Sequence, residues 1–369
     1  MRTTTPTSGR WFDRFALGFL GTCVLTLYGA TVFELATPYL PGAPARGEVG
    51  TALSGSVPAL RYTFTSDGQE ARTLQPAAMT KVSFPAPEPL PVRLPGDGFA
   101  ERPRLASAET VREVARLYDA LGYDLERVAT GVSVPRLYLA TVPDDMPAVD
   151  DIETRKSVFI RSMLPLILRV NEEVARDRAR LIEIDARLKS GEGVHRTDMA
   201  WVAELADSYG VRDADIPKLL RKVDVVPPSL ALAQAIEESG WGTSRFAREA
   251  NALFGQWTTK SHVPGIKTYV SPSDPNYNNR IRAFPSLLDA VRSYVRNLNT
   301  HRAYAEFREE RARQRRAGTE LNGHALAGHL HFYSERGPDY IATLREIMRA
   351  NALADLDGTR LGRQLAALP

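Results

Sequence analysis

The sequence PPSLALAQAIEESGWGTSRFAREANALFGQW, residues 227–257, decides how this chain folds around a site. Its two prolines and Ser229 form a helix start signal, because a serine hydroxyl can cap the first free backbone amides of a helix. Residues 230–236 are apolar or small apart from Gln234. A short helix without a polar face has to be buried, so we expect this segment to lie at the centre of the fold.

Two acids occupy the last turn of the predicted helix, Glu237 and Glu238, and Ser-Gly-Trp-Gly follows them. Gly240 is suited to a left-handed C-terminal cap. At least one carboxylate therefore lies where a buried helix ends, beside the ring of Trp241. Burial disfavours the charged form and raises a carboxyl pKa, as a general acid near neutral pH requires. The alternative is that both acids are solvated on the surface.

The longer motif resembles a known family. Ala-Gln-Ala-Ile-Glu-Glu-Ser-Gly-Trp-Gly, then Ser-Arg-Phe and the Asn251–Gly255 turn, is similar to the endo-β-N-acetylglucosaminidases, a family of bacterial peptidoglycan hydrolases that includes the hydrolase domain of the flagellar rod cap. The acid of the family pattern falls on Glu238, and Ala252 interrupts its Asn-Leu-Phe-Gly turn. The resemblance covers roughly residues 134–352 and is greatest to Bax-type members, which carry a long helical segment before the hydrolase domain.

The resemblance implies a lysozyme-like catalytic domain, an α+β and mainly α fold with a small β-lobe over residues 258–283. It also implies that Tyr340 reaches the cleft near Glu238. The candidate substrate-binding residues are Trp241, Asn251, Phe254, Gln256, Trp257, Tyr269 and Tyr277. The aromatic residues among them can stack on sugar faces, although packing or turn formation explains each one equally well.

The activity implied by the resemblance is hydrolysis of the β-1,4 bond between N-acetylglucosamine and N-acetylmuramic acid, with Glu238 as general acid. The second catalytic group is open: Asp274 is the one acid between Trp257 and Arg282, and the 2-acetamido group of the substrate can act as nucleophile instead. A lytic transglycosylase, or a non-catalytic glycan-binding scaffold at the membrane, is the alternative.

Composition excludes several other classes of function. The chain has 369 residues, 47 basic against 44 acidic, and a net charge of +3, so charge gives no reason to expect nucleic acid as a partner. A single cysteine, Cys23, excludes a disulfide framework or a cysteine-based metal cluster. His329 and His331 are two positions apart and cannot share a helix face. We expect no metal and no cofactor.

The N-terminus predicts a membrane anchor. Arginines at 2, 10 and 14 precede an uncharged run over residues 15–33, whose 19 positions can just span the roughly 30 Å hydrocarbon core. We assign 1–14 to a cytoplasmic tail and 15–35 to a signal anchor in the lipid bilayer, because flanking arginines favour the cytoplasm. This predicts a single-pass protein of the bacterial inner membrane with a periplasmic catalytic domain. A signal peptide cleaved near Ala45 is the alternative.

The remaining chain divides by composition. We predict a Pro/Gly-rich extracytoplasmic spacer at 36–104, a helical segment at 105–210, the catalytic domain at 211–355 and a C-terminal tail at 356–369. Apolar residues at helical spacing predict helices over 110–121, 155–188, 199–209, 287–298 and 341–348. The arginine-rich run 308–316 reads as a solvated helix.

Overall fold

The computed structural model describes residues 105–267 and 280–365. Most of these residues are helical. The helices are α1 (Val111–Ala120), α2 (Leu125–Ala129), α3 (Ile152–Ser190), α4 (Arg196–Ser208), α5 (Ile216–Lys222), α6 (Pro228–Ser239), α7 (Arg245–Ala250), α8 (Leu287–Thr300), α9 (Ala305–Arg316), α10 (Gly323–Ala327) and α11 (Pro338–Ala350). The mainly helical α+β prediction is confirmed, and each of the five helices predicted from apolar spacing is present with ends shifted by a few residues.

The described strands are short and form small sheets. They are β1 (Leu105–Ala106), β2 (Val134–Arg136), β3 (Tyr138–Leu139), β4 (Trp257–Thr258), β5 (Gly265–Lys267), β6 (Arg280–Arg282) and β7 (Leu361–Leu365). β1 pairs in parallel with β3, and β2 pairs in parallel with β7 near the other end of the described chain. The antiparallel sheet β4-β6-β5 lies within the predicted β-lobe.

Helix α6 is buried as its composition predicts. Every residue from Pro228 to Ile236 is buried, and the helix packs against α3, α10, α11 and a 3₁₀ turn at Leu353–Leu356. Gly240 ends it in the left-handed conformation, with φ of 56°. Apolar packing on all sides fixes α6 in place, so the side chains of its last turn have a defined position.

The start of α6 differs from the prediction. Ser229 lies inside the helix and caps nothing; its backbone N–H donates to Asp357 Oδ1 at 2.7 Å and its hydroxyl to Oδ2 at 2.8 Å. The carboxylate of Asp357, from the end of the domain, thus takes the place of the expected serine cap. Gly323 permits the approach, because a Cβ there would lie 2.2 Å from the Ser229 hydroxyl oxygen.

Helix α3 runs for 39 residues and continues through Pro165. Its stretch from Val158 to Leu168 is mostly apolar and buried, apart from the half-buried Arg161, and the helix packs against α8, α5 and α6. The segment before residue 211 therefore contributes to the same hydrophobic core as the predicted catalytic helix.

The arginine-rich helix α9 is solvated on one side only: Arg313, Arg315 and Arg316 are exposed as predicted, but Arg308 and Arg311 are buried, and for these two the prediction is wrong. Arg311 is fully buried, and its guanidinium donates to the carbonyl oxygens of four residues at and just after the end of α5. Arg308 is 8% exposed and donates to carbonyls of Leu298 and His301 at the end of α8. These cations satisfy carbonyl groups that a helix end leaves without partners.

Several predictions lie outside the described residues: the anchor, the spacer, the centre of the β-lobe and the last residues of the tail. Within residues 105–267 and 280–365, no helix is both long enough and apolar enough to span a bilayer.

Candidate active site

Glu238 lies in the last turn of α6 with its carboxyl group enclosed by two other segments. Oε1 accepts a hydrogen bond of 3.0 Å from the Tyr340 hydroxyl on α11. Oε2 faces Gly255, where an added Cβ would lie 3.0 Å from this oxygen. Gly255 has φ of +57°, which suits glycine, and it lets the backbone pass close to the carboxyl group. The structure thus brings together the acid and the tyrosine predicted to act with it.

The enclosure changes the acidity of Glu238. Burial, and to a lesser degree the neighbouring Glu237 carboxylate, raise its pKa from 4.5 to about 7. The Tyr340 hydrogen bond and the Arg336 guanidinium favour the charged form and oppose this rise. At neutral pH a substantial fraction of Glu238 is therefore protonated and able to donate a proton.

Glu237 has a different environment. Its Oε1 accepts a 2.6 Å hydrogen bond from Arg336, which also donates to the Thr343 hydroxyl at 2.6 Å. The Glu237 side chain is only 14% exposed, so the ion pair is well shielded from water. Glu237 is thus engaged in an ion pair, whereas Glu238 Oε1 accepts from the neutral Tyr340 hydroxyl. Of the two acids, Glu238 is therefore the one suited to donate a proton.

Tyr340 is fixed by a buried polar and aromatic network. Its ring stacks on Tyr333 at a centroid distance of 5.6 Å, and its hydroxyl accepts a 2.9 Å hydrogen bond from Gln234 Nε2. Gln234 Oε1 in turn accepts a 2.7 Å bond from the Tyr294 hydroxyl on α8. Burial raises the pKa of Tyr340 well above its usual range, so the hydroxyl keeps its proton.

Trp241 packs against α3 immediately after the acid. It has an unusual φ of +60°, and its ring meets Phe159 edge-on at 6.0 Å while Lys156 Nζ lies 5.8 Å from the ring centre. A Cβ at Gly242 would lie 3.1 Å from Phe159, so glycine permits this close packing. The long helix α3 thus supports the Ser-Gly-Trp-Gly turn directly.

The other predicted substrate-binding residues fall into two groups. Asn251 and Phe254 are buried; the Asn251 amide donates to the Phe284 carbonyl, and Phe254 stacks on Tyr294 at 4.0 Å. This placement gives both residues a packing role beneath the site. Gln256 and Trp257 are half-buried on the strand side, where Gln256 donates to the Ser293 carbonyl. Tyr269, Asp274 and Tyr277 lie outside the described residues.

Sequence reasoning missed three contributors to the site: Gln234, Tyr294 and Gly255. Gln234 stood out in the sequence as the one polar residue in an apolar helix, one turn before Glu238, which is the available signal. Tyr294 lies at helical spacing among the apolar residues of α8, and no local pattern distinguishes it from a residue that only packs. Gly255 belonged to the quoted turn, but its contact with Glu238 is long-range.

Comparison with known proteins finds a family match over the segment that contains Glu238 and Tyr340. Residues 214–353 match the family model described as "Glucosaminidase: Mannosyl-glycoprotein endo-beta-N-acetylglucosaminidase". Residues 214–353 therefore form a glucosaminidase-family domain, which is a glycoside hydrolase domain, in a chain that is similar to Bax-type proteins.

The Bax-type assignment comes from a curated relative. The protein named "Protein bax" from Escherichia coli (strain K12) is 34% identical over 192 residues, which cover 50% of this chain and 66% of that protein. The match thus spans slightly less than two thirds of the relative. No solved structure is significantly similar to the chain.

Proposed function

We propose that this protein hydrolyses the β-1,4 bond between N-acetylglucosamine and N-acetylmuramic acid in peptidoglycan, with Glu238 as general acid. One observation carries the proposal: a carboxyl group with a pKa of about 7 ends a buried helix and is held by Tyr340. The family match supports the glycosidase chemistry, and the exact bond and substrate are our proposal.

Glu238 transfers its proton to the glycosidic oxygen as the bond from that oxygen to C1 of N-acetylglucosamine breaks. The leaving sugar departs as an alcohol, and positive charge develops at C1. Tyr340 then stabilises the Glu238 carboxylate through its hydrogen bond to Oε1. The same carboxylate can take a proton from the incoming water when the second step begins.

Within this first step we propose that the substrate's own acetamido oxygen attacks C1 as the glycosidic bond breaks and forms a cyclic oxazolinium. Water then attacks C1 and reopens the ring, so the acetamido group is restored. This route needs no carboxylate nucleophile, in keeping with the scarcity of acids between residues 257 and 282. The competing route uses Asp274 as a base.

The acetamido route and the Asp274 route can be distinguished on the purified protein. We expect Asp274→Asn to retain activity within about tenfold of wild type, and a thiazoline mimic of the cyclic intermediate to inhibit. Near-complete loss of activity in a folded Asp274→Asn protein would instead identify Asp274 as the base.

The general acid is tested with a matched pair. Glu238→Gln keeps the shape of the side chain but has no proton to give, so wall-degrading activity should fall by about 10²–10⁴-fold. Glu237→Gln should lose less, because Glu237 already pairs with Arg336. Circular dichroism and thermal melting check that both variants fold. Equal losses, or a larger loss in Glu237→Gln, would contradict the assignment.

Product analysis separates the alternatives. Mass spectrometry of purified-wall digests should find N-acetylglucosamine at new reducing ends if the bond is the proposed one. A lytic transglycosylase would leave anhydro-muramic ends, and a non-catalytic scaffold would bind the wall without releasing fragments.

We also propose a periplasmic domain with a single anchor at residues 15–35 of the inner membrane, on the basis of the uncharged run behind three arginines. A phosphatase reporter fused after Leu105 should be active, and full-length protein should sediment with membranes. An inactive fusion would refute this topology, and a soluble form cut near Ala45 would support the cleaved alternative.

A further inference from the structure

Three buried side chains behind Glu238 form one continuous line of hydrogen bonds. Tyr294 donates to Gln234 at 2.7 Å, Gln234 donates to Tyr340 at 2.9 Å, and Tyr340 donates to Glu238 at 3.0 Å. Gln234, Tyr294 and Tyr340 are each no more than 1% exposed. Buried polar groups of this kind depend on each other for partners, because water cannot replace a lost bond.

The chemistry of each group gives the line a direction. An amide can donate only from nitrogen and accept only at oxygen, and a tyrosine hydroxyl has a single proton. Since Gln234 presents its nitrogen to Tyr340, the Tyr340 proton is available for Glu238. With the amide reversed, Gln234 Oε1 would take that proton, and the carboxylate would lose its donor. The Tyr294 hydroxyl opposes this reversal because it donates to Gln234 Oε1, and the reversed amide would present its nitrogen to that donor instead.

We infer that Gln234 and Tyr294 are positioning residues that hold the Tyr340 hydroxyl as a permanent donor to Glu238 Oε1, which leaves Oε2 as the oxygen that carries the transferable proton. The inference deepens the proposed function and rests on it for its catalytic meaning. Oε2 is also the oxygen that faces Gly255, whereas Oε1 accepts from Tyr340.

We call the hydrogen-bonded line Tyr294–Gln234–Tyr340 the relay. Other groups also act on the acidity of Glu238, and they stay unchanged when the relay is altered. Glu237 lies next to it on α6, and Arg336 approaches from the turn before α11. Tyr304 and Tyr333 belong to the surrounding aromatic cluster and are themselves affected by the charge of Glu238. Tyr304 is hydrogen-bonded to Asn297 and takes no part in the relay, so it provides a matched control.

The test is a titration of Glu238 in the full domain without substrate. Carboxyl carbon NMR of protein labelled in glutamate follows the ionisation, and the Glu238 signal is identified by its absence in Glu238→Gln. Tyr294→Phe removes one oxygen and keeps the ring that stacks on Phe254. We expect the Glu238 midpoint to rise by about 0.5–1 pH unit, because the Tyr340 hydroxyl then donates to the carboxylate for only part of the time. Tyr304→Phe should leave the midpoint within about 0.2 units.

A second variant makes the test independent of one substitution. Gln234→Met fills the same space without hydrogen bonds and should raise the midpoint at least as much as Tyr294→Phe. The double variant should match Gln234→Met alone, because Tyr294 acts only through Gln234. Unchanged midpoints in both single variants, or equal shifts in Tyr304→Phe, would overturn the relay.

The same variants separate the relay from the proposed function. In wall digestion, the basic limb of the pH profile should move upward with the NMR midpoint in Tyr294→Phe. A merely structural role would lower activity at every pH without moving that limb, and would refute the inference. If the wild-type protein fails to cleave glycans while the midpoints shift as expected, the proposed function fails and the relay stands.

Discussion

Gly255→Ala should separate the geometry of the acid from the stability of the fold. The new methyl group would lie 3.0 Å from Glu238 Oε2, where ordinary contacts begin near 3.4 Å, so one of the two must move by about 0.4 Å. Alanine at the φ of +57° found here also costs about 1–2 kcal/mol of backbone strain. In a domain of this size that strain lowers the melting temperature by about 2–8 °C.

The effect on activity should exceed the effect on stability. A displacement of about 1 Å in a catalytic group can cost about 10²-fold, so a shift of a few tenths of an ångström should cost about 3–30-fold in turnover. The assay is release of soluble fragments from purified walls, measured well below the melting temperature and paired with thermal melting.

Gly210→Ala is the control for the strain. Gly210 has φ of +60°, almost the same as Gly255, and no other atom would lie within 4 Å of its new Cβ. It should show a similar drop in melting temperature with normal activity. If the two variants lose activity equally, or if Gly255→Ala keeps full activity, the close approach of Gly255 has no catalytic importance and the reasoning fails.

The remaining predictions concern charge. Folding raises the pKa of Glu238 from 4.5 to about 7. The contribution of Glu238 to the free energy of unfolding is therefore fully present below about pH 4.5 and is lost as the pH rises through 7. Glu238→Gln should accordingly melt above wild type at pH 8, and its melting temperature should depend less on pH. Asp357→Ala removes the cap of α6 and should cost about 1–2 kcal/mol by urea unfolding, whereas exposed Asp355→Ala should change little. Arg311→Met leaves buried carbonyls without donors and should cost about 2–4 kcal/mol, against a small effect of Arg316→Met at an exposed position of the same helix. Equal effects within either pair would contradict the roles assigned here.

Local patterns predicted the fold where the information is local. The absence of a polar face on residues 230–236 was sufficient to bury α6, and Gly240 was sufficient to end it. The N-terminal cap of α6 was predicted wrongly because Asp357, which binds Ser229, is 128 positions away and no local pattern predicts that contact. Solvent exposure of Arg311 on α9 was predicted wrongly for the same reason, because its guanidinium binds carbonyl groups at the end of another helix.

The site residues divide in the same way, into those that a sequence motif identifies and those that only the fold brings to the site. Glu238 was chosen over Glu237 from the motif, and the structure adds a physical basis in the Arg336 ion pair. Tyr340 came from the family resemblance and lies where expected. Tyr294 could not be identified, because its spacing equals that of any buried residue on α8 and only the fold places its hydroxyl against Gln234.

The cap on α6 also sets an order of events during synthesis. A growing chain contains α6 and Glu238 long before it contains Asp357, which lies 128 residues after Ser229 in the first turn of the helix. Until that carboxylate and α11 have emerged, the first turn of α6 lacks its partner and Glu238 lacks Tyr340. The nascent chain therefore holds an ordinary solvated glutamate, and a competent acid appears only when the last part of the domain folds into place.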